Sequence, residues 1–419
     1  MWKRLLLFGV VLVAALLAVQ LMMSSNDANE TEPAPKKPAG DDAQTVNRDD
    51  EDEKVDPVAE MLAEMSLEEK IGQMMFAGIS GTEMSDSTRD LINNYQVGGL
   101  IFYKNNIAST SQIVTLQNEI RTANAGNKLP LLLGVDQEGG RISRLPNEVR
   151  NLPTSLAIGT VNNPAYSYEI GTLLGKEVKA FGFNLNFAPV LDVNSNPNNP
   201  VIGDRSFGNN AEIVSRLGIE TMKGMMDEDV IPVVKHFPGH GDTSVDSHLE
   251  LPTVNKSLAE LEKLELIPFK KAVENGADVV MAAHILLPKI DPDYPTSMSK
   301  VVLTDMLREQ LGFNEVIITD DMTMGAIAEN YSIDQAAVQS VKAGSDIILV
   351  AHGESNIAAT IAALKAAVEN GEIKEERINE SVARIIRLKK KYNLGDSAVP
   401  DVDVEELNRE IAEVLNQYN

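Results

Sequence analysis

The stretch VIPVVKHF (230–237) is an apolar run that leads directly into the polar loop PGHGDTSVDSH (238–248). Seven further apolar runs lie along the chain: IGQMMFAGI (71–79), VGGLIFY (97–103), LPLLLGVD (129–136), FNLNFAPVLDV (183–193), ADVVMAAHI (277–285), EVIITDD (315–321) and SDIILVA (345–351). Most of them are followed by a loop and a helix-like segment, such as 258–275 or 335–343. Eight strands that alternate with helices predict one α/β domain, a single (β/α)8 barrel of the TIM type.

A doubly wound open sheet is the alternative, because it has the same alternation of strands and helices. Dinucleotide-binding sheets of this kind carry a GxGxxG turn after their first strand, and no such turn follows residues 71–79. We therefore favour the barrel, whose binding and catalytic residues lie at the carboxyl ends of the strands.

Residues 1–23 predict an export segment. The basic start MWKR is followed by the 19 residues 5–23, of which only Gln20 is polar. A run of this length nearly spans a bilayer, and no clear A-x-A-like cleavage site follows it, so an uncleaved signal anchor is favoured over a cleaved signal peptide. The basic residues before the run place the rest of the chain outside the cytoplasm, either anchored at the cell membrane or secreted.

The remaining chain divides into a linker, a barrel and a tail. Residues 24–57 are polar and acidic and contain prolines, which is typical of a disordered linker. The barrel is expected over 58–395. The tail, 396–419, contains DVDVEELNREIAEVLNQYN, a pattern typical of a short amphipathic helix.

Composition excludes several classes of function. Lys and Arg number 37 against 62 Asp and Glu, which gives a formal net charge of −25. A nucleic-acid partner is not expected, because phosphate neutralisation requires an excess of basic residues. The chain has no cysteine, which excludes disulfides, cysteine-ligated zinc and a cysteine nucleophile.

Polar residues gather at the ends of the apolar runs. They are Asp136, Lys235, His236, His284, Asp320 and Asp321. The five histidines of the chain also lie at strand ends or in the loop after residue 237: His236, His240, His248, His284 and His352. Because the carboxyl ends of barrel strands meet on one face, these residues predict a shared site.

The loop that ends at His248 predicts a proton-handling group. Asp246 and His248 are two residues apart, so the carboxylate can bond one imidazole nitrogen and leave the other facing a substrate. Histidine titrates near neutrality, whereas an aspartic acid would need its pKa raised by about 3 units, at a cost of about 4 kcal/mol, to donate a proton there. A hydrogen bond that only braces the loop is the alternative for this pair.

The run VIITDDMTMGAI (316–327) predicts a nucleophile. A carboxylate on a rigid strand end is well placed to attack, and strand alternation sends only one of Asp320 and Asp321 towards the barrel mouth. A helix N-cap is the alternative, and it suits Asp321 or Thr323 better than Asp320. Spacing alone does not choose between the two aspartates.

Two further segments supply candidate binding groups. GVDQEGGRISRL (134–145) and NPVIGDRSF (199–207) contain Asp136, Glu138, Arg141, Arg144, Asp204 and Arg205. Their joint placement in loops after the third and fourth runs favours recognition of sugar hydroxyls. Asp136 can accept hydroxyl protons, and Arg205 or Lys235 can donate to an acyl or hydroxyl oxygen.

Together KHFPGHGDTSVDSH, VDQEGGR, IGDRSF and TDDMTM resemble glycoside hydrolase family 3, in particular its bacterial β-N-acetylglucosaminidases (β-N-acetylhexosaminidases). The resemblance implies a TIM barrel and a retaining exo-enzyme, with Asp320 as the nucleophile and with His248, assisted by Asp246, as the acid/base. It also implies which residues hold the N-acetylglucosamine unit: Asp136, Arg144, Arg205, Lys235 and His236.

The β-glucosidases of this family generally take their acid/base carboxylate from a second domain. Only about 25 residues follow the predicted barrel, so we expect the loop to supply the proton donor. The resemblance implies neither a metal nor an organic cofactor. With the export segment, it implies release of terminal N-acetylglucosamine from peptidoglycan fragments during cell-wall turnover.

Three alternative functions use the same residues. A metal-dependent hydrolase would take its ligands from His236, His240, Asp242 and His248. An N-acetylglucosaminide phosphorylase would use the same catalytic residues with phosphate in place of water. A non-catalytic cell-surface sugar-binding protein would need the binding residues but not the reactive ones.

Overall fold

The computed structural model describes residues 56–418. The predicted export segment and residues 24–55 of the predicted linker lie outside the described residues. Each predicted apolar run contains one strand. The strands are β1 (Met75–Gly78), β2 (Gly99–Phe102), β3 (Leu132–Val135), β4 (Leu185–Asn186), β5 (Ile231–Phe237), β6 (Val279–Ala282), β7 (Val316–Thr319) and β8 (Ile348–Val350).

The eight strands are parallel, pair in chain order and close into a barrel. β1 pairs with β2 on one side and with β8 on the other, where Met75 is opposite Ile348. A parallel bridge between Ile318 and Ile347 joins β7 to the start of β8. The prediction of a (β/α)8 barrel is therefore confirmed, and the alternative of an open sheet is wrong.

Helices connect the strands and surround them. They are α1 (Pro57–Ala63), α2 (Leu67–Gln73), α3 (Asp86–Asn93), α4 (Thr110–Asn124), α5 (Ser155–Val161), α6 (Pro164–Ala180), α7 (Ala211–Asp227), α8 (Leu258–Leu261), α9 (Leu266–Glu274), the π-helical α10 (Val301–Gln310), α11 (Gly325–Ala328), α12 (Ile333–Ala343), α13 (Glu354–Glu369), α14 (Glu375–Lys391) and α15 (Val404–Gln417). Within residues 56–418, no helix has both the length and the apolar character needed to span a bilayer.

Local sequence explains where several helices begin. Asp56 accepts a hydrogen bond from the amide of Val58 in front of the proline that opens α1. Ser66 and Glu69 form a reciprocal capping box at the start of α2. These contacts satisfy amides that have no partner within the helix.

The predicted helix over 258–275 is in fact two helices, α8 and α9. Pro268 is the third residue of α9. Proline has no amide hydrogen and is tolerated only in the first turn of a helix, so a helix has to begin just before it. The other predicted helix, 335–343, lies within α12.

Large side chains fill the interior of the barrel. The ring of Phe76 on β1 packs edge-on against Phe187, with ring centroids 5.5 Å apart. A Cβ atom at Gly99 would lie 2.6 Å from the Phe76 ring, and one at Gly134 would lie 2.8 Å from it. Glycines on β2 and β3 therefore make room for this ring, and the barrel is a packed core rather than a pore.

The tail carries α15, which packs against α6. Leu407 and Ile411 on one face of α15 are buried. Lys176 Nζ on α6 lies 2.6 Å from Glu410 Oε2, and the rings of Tyr166 and Tyr418 have centroids 4.6 Å apart. The apolar face of this amphipathic helix is therefore buried against the barrel.

Candidate active site

A cavity of about 250 Å³ opens at the carboxyl ends of the strands. It is smaller than the roughly 300–1,000 Å³ of pockets that hold drug-sized ligands, so it suits one sugar unit. It is lined by each predicted site residue: Asp136, Arg144, Arg205, Lys235, His236, Asp246, His248 and Asp320. The fold therefore brings together residues of β5 and of the loops that follow β3, β4, β5 and β7.

Lys235 lies between two carboxylates at this cavity. Its Nζ is 2.6 Å from Asp136 Oδ1 and 2.7 Å from Glu138 Oε1. The pairing of β5 with β6 shifts its register between Val234 and Phe237. Such irregularities redirect side chains next to functional sites, and this one includes Lys235 near the end of β5.

Glu138 is the buried counter-ion of two cations. It accepts bonds from Arg205 Nη2 at 2.7 Å and from Arg205 Nε at 2.9 Å, in addition to Lys235. Burial alone would raise the pKa of Glu138, but the charges of Arg205 and Lys235 outweigh it and hold the pKa well below its usual value. Arg205 is therefore held as a fixed positive charge on the cavity wall.

His236 is oriented by a fully buried carboxylate, Asp192. His236 Nδ1 lies 2.6 Å from Asp192 Oδ2, and the backbone amides of His236 and His240 donate to Asp192 Oδ1. Burial would raise the pKa of Asp192, but the two histidines outweigh it and keep that pKa low. The carboxylate thus fixes the proton on Nδ1 and leaves His236 Nε2 facing the cavity, 3.5 Å from Arg205 Nη2.

Asp320 follows β7 directly and presents its carboxylate to the cavity. Among the described residues, the one hydrogen bond that its side chain accepts comes from the amide of Asp321, at 2.9 Å. Burial would raise the pKa of Asp320, but the neighbouring His284 and His236 outweigh it, so the pKa lies below its usual value. Asp320 is thus an ionised carboxylate with lone pairs free for a substrate.

Asp321 is engaged by the protein itself. Its Oδ1 accepts from the amides of Thr323 and Ala351, each at 2.9 Å, and its Oδ2 accepts from the Thr323 hydroxyl at 2.6 Å. β7 ends at Thr319, so neither aspartate belongs to an extended strand and simple alternation does not govern them. The structure separates the two residues by their hydrogen bonds.

Asp246 and His248 form a hydrogen-bonded pair on the loop after β5. His248 Nδ1 is 2.8 Å from Asp246 Oδ1, which also accepts from the His248 amide at 2.9 Å. Burial would raise the pKa of Asp246, but these two bonds and the imidazole outweigh it, so the pKa is lowered. The ionised carboxylate keeps a proton on Nδ1, and Nε2 of His248 is left available for proton transfer.

Arg144 and Arg141 line the same side of the cavity. Arg144 Nε is buried and has no hydrogen-bond partner among residues 56–418. Arg141, in contrast, is bound to the protein, with its Nε 2.8 Å from Asp204 Oδ1. Arg144 lines the cavity and forms no salt bridge with the described residues, so its guanidinium can donate to a ligand, whereas Arg141 joins two loops at the rim.

The roles of Asp192 and Tyr103, and the orienting role of Glu138, are not predicted by the sequence patterns. Asp192 and Tyr103 both stand at the ends of predicted strand runs, a position that could have identified them. Tyr103 stacks on His352, with ring centroids 5.4 Å apart, and both line the cavity. His284 does not line it but lies buried behind Asp320, with Nε2 3.0 Å from Asp321 O.

The residues considered as metal ligands are bound to other groups. His236 is paired with Asp192, His240 contacts Thr243 and Ser247, Asp242 contacts Lys256, and His248 is paired with Asp246. Within residues 56–418 no cluster of three or more histidine, aspartate or glutamate side chains has the arrangement of a metal site. The geometry gives each of these side chains a role in the hydrogen-bond network instead.

Comparison with known proteins identifies the family. The model of the glycosyl hydrolase family 3 N-terminal domain matches residues 66–388. Beta-hexosaminidase A of Pseudoalteromonas piscicida is 35% identical over 334 residues, which are 74% of this chain and 56% of that protein. Beta-hexosaminidase of Nitrosomonas eutropha is 33% identical over 328 residues, 76% of this chain and 92% of that protein.

A solved structure agrees with these sequence relatives. The glycoside hydrolase family 3 β-N-acetylglucosaminidase from Paenibacillus sp. FPU-7 is 43% identical, with a TM-score of 0.80 over 84% of this chain and 68% of that chain. The chain spans little more than half the length of the P. piscicida relative. The resemblance predicted from the sequence is confirmed: the chain belongs to glycosyl hydrolase family 3.

Proposed function

We propose that this chain is a retaining exo-β-N-acetylglucosaminidase that releases terminal non-reducing N-acetylglucosamine. One observation carries the proposal. A single cavity is lined by an ionised carboxylate with free lone pairs, Asp320, and by a hydrogen-bonded carboxylate–imidazole pair, Asp246 and His248. Relatives named beta-hexosaminidase and β-N-acetylglucosaminidase support the choice of sugar.

In the first step, an oxygen of Asp320 attacks the anomeric carbon while the bond to the leaving oxygen breaks. His248, as imidazolium, gives its Nε2 proton to that oxygen, and Asp246 stabilises the ring through Nδ1. The products are a covalent glycosyl-enzyme, a neutral His248 and the free aglycone alcohol.

In the second step, neutral His248 accepts a proton from water as the water oxygen attacks the anomeric carbon. The bond to Asp320 breaks, which restores the carboxylate and the imidazolium. Two displacements on opposite faces retain the anomeric configuration. The separation rule for two carboxylates does not apply, because a histidine replaces one of them.

Substrate binding falls to the charged groups of the cavity. Asp136 can accept from sugar hydroxyls, and the guanidinium of Arg144 can donate to a hydroxyl or acetamido oxygen. Lys235 and Arg205 are already held by Glu138, so they are preorganised rather than free to rearrange. A cavity sized for one unit supports an exo mode of action.

We place the substrate outside the cytoplasm, in peptidoglycan fragments. The apolar residues 5–23 after a basic start support export. Immunodetection in culture medium, membrane and cytosol fractions tests this placement, and exclusive recovery from the cytosol would contradict it.

A trapped intermediate tests the chemistry. A 5-fluoro N-acetylglucosaminyl donor with an activated leaving group should label one peptide, and mass spectrometry should locate the sugar on Asp320. Asp321→Asn is the matched control and should still be labelled. A label on Asp321, or no label on an active enzyme, would overturn the assignment.

A further inference from the structure

Ser247 lies between Asp246 and His248 and, unlike His248, is buried. The His248 side chain is 64% exposed, whereas Ser247 is only 2% exposed. Ser247 Oγ is 3.0 Å from Nε2 of His240, which is 1% exposed. The middle residue of the acid/base segment is therefore anchored in the protein interior by a histidine that the proposed mechanism does not use.

The direction of this hydrogen bond follows from the other partners of His240. The Thr243 hydroxyl donates to the His240 carbonyl at 3.0 Å, so its oxygen is left to accept from His240 Nδ1 at 2.8 Å. Burial and the neighbouring His236 lower the pKa of His240 to about 4. Nε2 therefore carries no proton near neutrality and accepts the proton of the Ser247 hydroxyl.

Two backbone bonds tie the same segment to the residues after β7. The amide of Gly325 donates to the His248 carbonyl at 3.2 Å, and the amide of Ala326 donates to the Ser247 carbonyl at 3.1 Å. A Cβ at position 325 would lie 2.6 Å from the Leu249 carbonyl oxygen and 2.8 Å from that of His248. Glycine allows this close approach, which links the loop of Asp246 and His248 to the segment after β7 that contains Asp320.

The Asp246–His248 bond cannot itself fix the pair within the barrel. Both residues belong to one short segment, so their hydrogen bond moves with that segment. The bond from Ser247 to His240 is different, because the His240 amide is held by the buried Asp192 at 2.6 Å. It joins the segment to the same carboxylate that orients His236.

We propose that Ser247 and His240 are a positioning pair that holds the His248 imidazole in a fixed position relative to the Asp320 carboxylate. The inference rests on the proposed function, because it assigns the pair a role in delivering a proton to the leaving oxygen. Both residues border the cavity, but no step of the proposed mechanism uses either side chain, so we assign them a positioning role.

Ser247→Ala tests the proposal through its dependence on the leaving group. Loss of one hydrogen bond should lower kcat/KM by about 10-fold for N-acetylglucosaminides of poor alcohol leaving groups, which need protonation. Activated aryl glycosides, which do not, should change by no more than about 2-fold. Equal losses on both substrates would overturn the positioning role.

Two substitutions of His240 form a matched pair. His240→Gln places an amide oxygen near the former Nε2 and should keep most of the activity on poor leaving groups. His240→Asn is too short to reach Ser247 and should behave like Ser247→Ala. Equal activities for these two variants would contradict the proposal.

A double variant shows whether Ser247 acts through His248. Adding Ser247→Ala to His248→Ala should cause no further loss, because the group being positioned is gone. A further loss equal to that of the single variant would overturn the proposal. Ser167→Ala is the control, since this buried hydroxyl donates to the Leu217 carbonyl away from the cavity.

A readout without turnover separates this proposal from the proposed function. Hydrogen–deuterium exchange of the peptide covering 244–250 should speed up in Ser247→Ala and His240→Asn but not in Ser167→Ala. Unchanged exchange in all three variants would contradict the proposal that Ser247 and His240 position this segment. A wild-type enzyme inactive on every N-acetylglucosaminide would overturn the proposed function. The exchange result would still test whether the Ser247–His240 hydrogen bond holds the segment in place.

Discussion

The Oδ1 atom of Asp321 lies 2.9 Å from the backbone nitrogen of Ala351, which joins the residues after β7 to those after β8. These two strands meet where the barrel closes. Both aspartates line the cavity, but the preceding carboxylate, Asp320, accepts only the amide of Asp321 among the described residues. Of the two consecutive aspartates, Asp321 therefore makes a structural contact, and Asp320 is the one that we propose as the nucleophile.

This division predicts opposite phenotypes for two isosteric substitutions. Asp320→Asn should lower kcat on the order of 10⁴-fold or more, since nucleophiles contribute effects of that size, and should leave the thermal midpoint near that of the wild type. Asp321→Asn cannot accept from both the Thr323 hydroxyl and the Ala351 amide, so it should lose about 1–3 kcal/mol of unfolding free energy. Kinetics and urea unfolding of both variants check this. A stable but inactive Asp321→Asn beside an active Asp320→Asn would reverse the roles.

The Lys235–Glu138 contact predicts a loss of both stability and binding. Glu138→Gln keeps the shape of the side chain but leaves Lys235 and Arg205 with less compensating charge in a buried place. Breaking a buried ion pair costs about 3–5 kcal/mol, and the two cations should move from their preorganised positions, which should raise KM. Urea unfolding at pH 7 and the KM for an aryl N-acetylglucosaminide measure the two effects.

The difference in unfolding free energy between wild type and Glu138→Gln should depend on pH, because the pKa of Glu138 is lowered in the folded state. A carboxyl whose pKa is depressed in the folded state contributes stability above its unfolded pKa, which is about 4.3, and loses it only as pH falls through the folded value. The difference in unfolding free energy between wild type and Glu138→Gln should therefore be constant from pH 7 to pH 5 and shrink only in stronger acid. A gap that closes already between pH 7 and pH 5 would contradict this.

The sequence predicted the barrel well because its signal is local. Each strand lies within one apolar run, and side chains at the ends of those runs meet by the geometry of the barrel. The choice between Asp320 and Asp321 was different, because it depends on the Ala351 amide, which lies just after β8 and 30 residues from Asp321. The orienting role of Asp192 likewise depends on a contact with His236, 44 residues away, which no spacing rule anticipates.

The burial of Glu177 on α6 predicts an unusual pH dependence of the unfolding free energy. It is fully buried, its Oε2 accepts from Gln137 Nε2 at 3.0 Å, and its Oε1 has no partner among residues 56–418. Burial raises its pKa to about 8, although the bond from Gln137 opposes the shift. The group is thus a neutral acid at pH 7 in the folded state.

A raised carboxyl pKa contributes stability that is complete below the unfolded pKa and is lost as pH rises through the folded value. Wild type should therefore lose stability relative to Glu177→Gln between about pH 4.3 and pH 8, since the amide cannot ionise. Urea midpoints at pH 5, 6.5 and 8 measure the stability difference between wild type and Glu177→Gln. Glu119→Gln, on the exposed face of α4, is the matched control. A gap between wild type and Glu177→Gln that is independent of pH would show that Glu177 ionises alike in both states.

The hydrogen bonds of Asn408 on α15 predict that this C-terminal helix contributes to substrate binding. Its Oδ1 accepts from the Arg150 amide at 2.6 Å, and its Nδ2 donates to the Glu148 carbonyl at 2.8 Å. The segment held in this way follows Arg144, whose guanidinium we assign to the substrate. Asn408 thus fixes the far end of a loop whose near end supplies a binding group.

Asn408→Ala should therefore raise KM by about 2- to 10-fold, the equivalent of one net hydrogen bond, while kcat stays near that of the wild type. Asn408→Asp keeps the acceptor for the Arg150 amide but loses the donor to Glu148, so it should fall in between. Glu410→Gln on the same helix is the control, because it weakens the contact with Lys176 on α6 and does not touch the loop. If Asn408→Ala lowers the thermal midpoint but leaves KM unchanged, α15 stabilises the barrel without shaping the site.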